Sequence, residues 1–287
     1  MLTYPPAMSL AVALAVLIST LLHASWNAIV RVNGDRLGVV TLLATFSALI
    51  AAPGLFLLPA PAREAWPWLI ASVLLHVGYN VFLVNAYAHG ELGKVYPLAR
   101  GTAPLITLIV SLAFIGEPVG TTKILGVVTL GVGIISLTFD QGIRVLMRAP
   151  KGVVHALATS LFIGSYTISD GLGARASGDP LGYTAWVFAF DGAPLLIYAL
   201  IVRGRGIQRM LVEQWRPGLM AGALSLGAYA IVIWAMTVAP IALVAALRET
   251  SVVFAVMIGV VFLGERLTPA RAICVAVVLA GLMLMRV

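Results

Sequence analysis

The sequence predicts an all-α membrane protein: ten transmembrane helices forming two inverted-topology five-helix repeats around a central cavity. Composition is the first reason. The 287 residues are 61% hydrophobic and 10% charged, with a mean hydropathy of +1.05, whereas soluble domains carry about 25% charged residues. The second is the form of the apolar runs, which are long and continuous rather than alternating. A spanning backbone must satisfy its own hydrogen bonds, so such runs read as helices. The third is an internal repeat. Arg100 and Arg248 lie 148 residues apart, each inside apolar sequence and each followed by Gly-Glu, at 116–117 and 264–265. At that offset Thr102/Thr250, Phe114/Phe262, Val127/Val275 and Gly133/Gly281 also coincide, and Lys123 matches Arg271 in charge.

Breaks at Gly, Pro and charge clusters delimit the spans. They run 7–30, 37–58, 66–89, 95–115, 121–139, 152–171, 180–202, 217–239, 241–263 and 269–285. The first repeat is expected over 1–140, a connecting loop over 141–151 and the second repeat over 152–287. An odd number of spans per half turns the second half over in the membrane. The N-terminal stretch has no basic leader and reads as a retained first helix. Lys and Arg are distributed 12 to 4 in favour of the odd-numbered loops. The positive-inside rule then makes those loops, 141–151 included, cytoplasmic and puts both termini on the periplasmic side.

Charge inside the apolar runs marks the candidate site. An arginine in a bilayer either snorkels, pairs between helices or serves function. Glu249 follows Arg248, where the first half has Gly101. It could couple protons or balance an arginine on another helix. Asp191 is a second candidate for coupling. Polar residues at helical spacing form stripes: Ser19, His23, Trp26 and Asn27; His76, Tyr79, Asn80 and Tyr87; Tyr96, Arg100, Thr107 and Ser111; His155, Thr159, Tyr166 and Asp170. Lipid-facing sides are apolar, so the stripes face inward, either as helix-pairing hydrogen bonds or as walls of one cavity. Pro97, Pro104 and Pro194 fall inside spans, where each removes a donor and offers a bend.

Other classes are excluded or disfavoured. The net charge of +7 is spread over short loops rather than a nucleic-acid-binding patch. The single cysteine, Cys274, precludes an internal disulfide. The four histidines lie singly, without metal-site spacing, and there is no P-loop, GxSxG or dinucleotide fingerprint. No metal, cofactor or enzymatic activity is expected, and a monomer could be complete.

The segments VYPLARGTAPLITLIVSLAFIGEPVGTTKILGVVTLGVGI and ALRETSVVFAVMIGVVFLGERLTPARAICVAVVLAGLML resemble the paired repeats of the drug/metabolite transporter superfamily, its EamA branch. Phe262–Thr268 is the closest match; after Glu117 the first copy departs. The resemblance covers the last two helices of each half. It implies a ten-helix exporter working by alternating access, similar to exporters of aromatic amino acids and related metabolites. Small multidrug members of the superfamily use a helix-1 glutamate for proton coupling. This chain has His23 and Asn27 in helix 1 instead. The expectation is a bacterial inner-membrane exporter of small metabolites, amino acids first, whose partners are that substrate and the lipid bilayer. Drug or quaternary-cation export and metabolite uptake are the alternatives, with an intramembrane lipid-phosphate enzyme a more distant one. Expected substrate contacts are Trp26, His76, Tyr79, Asn80, Tyr96, Arg100, Tyr166, Trp234, Arg248 and Glu249. Coupling falls to Glu249, Asp191 or His23.

Overall fold

The computed structural model describes residues 8–33, 35–89, 92–139, 149–204 and 206–285. Most of the expected connecting loop, and both chain termini, lie outside the described residues. The helices are α1 (Leu10–Val32), α2 (Arg36–Ala51), α3 (Trp66–His89), α4 (Leu92–Val110), α5 (Thr121–Ser136), α6 (Pro150–Ser177), α7 (Pro180–Arg203), α8 (Gly206–Val238), α9 (Ile241–Arg248), α10 (Ser251–Leu263) and α11 (Pro269–Met285). A short helix, Gly54–Leu57, follows α2. Nine helical stretches among the described residues are long and apolar enough to cross a membrane, α9 and α10 counting as one, and α11 is a shorter apolar helix.

Local sequence explains the ends. Ser9, Asp35 and Asp179 cap α1, α2 and α7 through side-chain oxygens that accept free backbone N–H groups. Pro150 and Pro180 open α6 and α7, where a missing N–H costs no helical bond. The repeated Gly-Glu pair has a backbone cause. Gly116 and Gly264 are both left-handed, at φ 74° and 66°. The next amide reaches back six residues in each copy, Glu117 N–H to the Ser111 carbonyl at 3.1 Å and Glu265 N–H to the Gly259 carbonyl at 2.9 Å. Both copies thus end in the same glycine C-cap.

Three sequence expectations change. α6 runs six residues past Gly171, to Ser177. Gly171 and Gly173 do not stop it; they let Ile241 and Tyr183 pack against its backbone. Arg175, expected in a loop, is therefore a helical residue inside the protein. α8 begins at Gly206 and continues through Pro217. Its first turns carry the exposed pair Arg209–Glu213 and the Trp215–Arg216 contact, groups suited to the membrane–water boundary. The ninth span is interrupted at Glu249–Thr250 without any proline. Glu249 and Thr250 donate to residues three back, Ala246 and Leu247, a tight 3₁₀ turn of the kind that often marks hinges. α4 and α7 stay helical through Pro97, Pro104 and Pro194. The first-half counterpart of the interruption, Gly101–Thr102, stays helical within α4, and a π turn follows only at Ser111–Ile115.

The two halves interleave. α3 packs on α6 and α8 on α1; α4 packs on α6, while α9 and α10 pack on α1; α5 pairs with α11, and α2 with α7. Gly126 and Gly281 bring α5 and α11 into backbone contact, the close approach that small residues permit in lipid. α9 is buried along its whole length, so the functional helix sits at the centre of the bundle.

Candidate functional site

α4 and α9 deliver one arginine each to the same buried place. Arg100 and Arg248 are 5% and 4% exposed, and Glu249 is 1% exposed. Glu249 lies between them, its carboxylate 2.8 Å from Arg100 Nε and 3.6 Å from Arg248. The shorter contact joins the two halves of the chain. His23 from α1 meets Arg100 at 3.3 Å, and its ring sits edge-on to Trp26 at 4.8 Å. The 3₁₀ turn sets this geometry, since it lets Arg248 and Glu249 aim at one centre from consecutive positions.

An aromatic wall completes the site. Arg100 lies over the Tyr96 ring and Arg248 over the Tyr229 ring, both at 5.9 Å. His76 stacks on Tyr166 at 4.0 Å, and Tyr79 meets Tyr166 edge-on at 5.8 Å. Two buried donors, Trp26 Nε1 and Arg248 Nε, have no hydrogen-bond partner. Among the described residues, two arginines thus share one carboxylate, leaving an excess positive charge and unsatisfied donors in an apolar interior. Such a site attracts an anionic group of small size.

A second cluster adjoins the first. Asp170 on α6 is fully buried and accepts Tyr229 Oη at 2.5 Å and Tyr183 Oη at 3.3 Å. A third polar group lies at one end of the bundle. Arg175 on α6 pairs with Glu117 at 2.6 Å and donates to the carbonyls of Met236 and Ala239 at 2.8 and 2.9 Å. Glu117 also accepts the Ile241 N–H at 3.0 Å, capping α9. The other Gly-Glu copy, Glu265, meets Arg31 at 2.5 Å and Arg271 at 2.8 Å near the surface.

Residues 150–287 match the model of the EamA-like transporter family. Over that second half the chain belongs to the EamA-like transporter family. No curated protein matches it. A solved structure named only "Crystal structure of protein" superposes with a TM-score of 0.74 at 16% identity, covering 96% of this chain and 94% of that one. That likeness shows the shared fold across nearly the whole molecule. As an EamA-like member of the drug/metabolite transporter superfamily, the protein is a multi-pass membrane transporter.

In this EamA-like transporter the structure gathers Trp26, His76, Tyr79, Tyr96, Arg100, Tyr166, Arg248 and Glu249, with His23 among them. Asn80 lies one turn beyond His76 on α3. Asp191 is half-buried one turn past Phe188, whose ring meets Tyr229 at 5.8 Å, and it stands outside the arginine pair. Trp234 is 37% exposed, on the stripe of α8 that also carries exposed Met220 and Val238. It therefore points away from the cluster. The Tyr87 side chain lies outside the described residues. An apolar cleft of about 290 Å³ opens elsewhere, between leucines of α1 and Leu247, Leu282 and Met283, and no polar side chain lines it. Among the described residues no three His, Cys, Asp or Glu side chains are grouped to hold a metal.

Sequence reasoning overlooked Tyr229, Tyr183, Arg175 and a role for Glu117. Asp170 stood in a polar stripe but was not chosen. The signals were thin: a lone tyrosine in apolar α8, and an arginine hidden behind glycines taken for a helix end.

Proposed function

We propose that the protein exports small metabolites bearing a carboxylate, amino acids first among them, across the bacterial inner membrane by alternating access. The observation that carries this reading is the sharing of Glu249 by Arg100 and Arg248. A substrate carboxylate at Arg248 balances the excess charge and meets the free Nε donor; the tyrosine wall accommodates an apolar or aromatic side chain. Glu249 or Asp191 is available to an amino acid's ammonium group.

The exchange of packing partners between halves supports an inverted repeat of residues 1–140 and 152–287 joined by 141–151, with rocking about the central site. Charge distribution favours cytoplasmic odd-numbered loops and periplasmic termini. The Glu117–Arg175 end then faces the periplasm, latched shut.

Counterflow into proteoliposomes tests the reading, with labelled amino acids against choline and ethidium as cationic controls. Exchange of an amino acid is expected. Arg248→Ala should slow it about tenfold or more, because a hydrogen bond to a charged group contributes about 1.5–3 kcal/mol. Unchanged exchange by Arg100→Ala, Arg248→Ala and Glu249→Gln would sink the site.

A further inference from the structure

Asp170 lies outside the arginine pair, two turns before the end of α6, and is completely buried. Among the described residues it makes no ion pair; the hydroxyls of Tyr183, Tyr229 and Ser72 are its hydrogen-bond partners, and the His76 imidazole is the nearest titratable group of opposite sign. The neighbouring elements present few charges. From α3 comes His76, edge-on to Tyr229 at 6.1 Å. From α7 comes Tyr183 and from α8 Tyr229. Tyr166 stands one turn earlier on α6 itself. α4 packs Thr107 near Gly164, and its Arg100 is engaged by Glu249 and His23. α9 places Ile241 against Gly171, and its Arg248 lies across the ring of Tyr229. The 3₁₀ turn before α3 carries Arg63 and Glu64 near the Ser177 end of α6.

An ionised carboxylate whose only facing titratable cation is the His76 imidazole is costly in such a place. A proton removes the charge, and the geometry has room for it. The short contact fixes Tyr229 as donor to Oδ2, while the longer contact leaves Oδ1 free to carry hydrogen. A phenol accepts as well as donates, so the protonated Oδ1 can donate to Tyr183. Tyr229 touches both sides: its hydroxyl is on Asp170 and its ring faces Arg248.

We propose that Asp170 is the proton-binding group of the transport cycle. Occluded, it is a carboxylic acid. When the cavity opens, its proton passes to water, the carboxylate remains, and Tyr229 is pulled toward it and away from the Arg248 face. Reprotonation from water on the other side closes the cycle. The proposal rests on the transport reading for its purpose, but proton binding is measurable without any substrate.

Infrared difference spectra of the purified full chain in liposomes, titrated with pH, provide the test. A carboxylic C=O band that appears on acidification is expected in the native protein. Asp170→Asn should lack it. In Tyr229→Phe, which keeps the carboxyl, the band should move because one donor is gone. A titrating band unchanged in both variants, or no titrating band at all, overturns the proposal. In proteoliposomes with a labelled amino acid, an imposed pH gradient should accelerate native flux several-fold and leave the Asp170→Asn rate the same with and without the gradient. An equal response in both also overturns it. If the band behaves as expected but no probe exchanges, it is the transport reading that fails.

Discussion

The two Gly-Glu ends have one backbone and two environments. Gly116 and Gly264 make the same left-handed cap, and Glu117 and Glu265 turn their amides back over the same distance in sequence. Glu117 is then sealed, fully buried against an Arg175 side chain 7% exposed. Glu265 stays near the surface, against an Arg31 side chain 55% exposed. Both are met by an arginine from the end of the first helix of the opposite half. The duplicated motif therefore encodes a joint between halves, and the surroundings decide whether the joint is a sealed latch or a loose surface contact. The structure buries the Glu117 end and leaves the Glu265 end near the surface.

The comparison breaks most visibly if the pairs are cut one at a time. Glu117→Ala breaks a buried ion pair of Arg175, and a loss of about 3–5 kcal/mol is expected. Glu265→Ala removes two screened surface pairs, with Arg31 and Arg271, and the expected loss is at most about 1 kcal/mol each. Unfolding in detergent measures both, and equal losses would refute the distinction. Gly116→Ala and Gly264→Ala sharpen it from the other side. Each forces a left-handed alanine, costing about 1 kcal/mol; since the caps match, the two losses should match. The smallest effect is that of salt. Raising ionic strength to about 1 M shortens the screening length to about 3 Å. The penalty of Glu265→Ala should then vanish while that of Glu117→Ala persists.

Most of the fold was legible, because lipid imposes long apolar helices. Arg100, Arg248 and Glu249 were legible for the same reason: charge inside an apolar run has few explanations. What escaped depended on context. Gly171 looks like a terminator until Ile241 is known to need the space beside it. With the helix cut there, Arg175 became a loop charge. The turn at Glu249–Thr250 has no Gly or Pro to betray it; packing shapes it. Trp234 and Tyr229, both lone aromatics of α8, differ only in the side of the helix they occupy, and sequence periodicity alone did not separate the cavity from the membrane.

The latch at Glu117 also bears on how the protein is made. Arg175 and the first amide of α9 belong to the second half, yet both are satisfied by a carboxylate synthesised some 60 to 120 residues earlier. A ribosome delivers that carboxylate to the membrane before its partners exist. The buried ion pair thus joins charges made far apart in the chain, and neither half on its own is electrostatically complete.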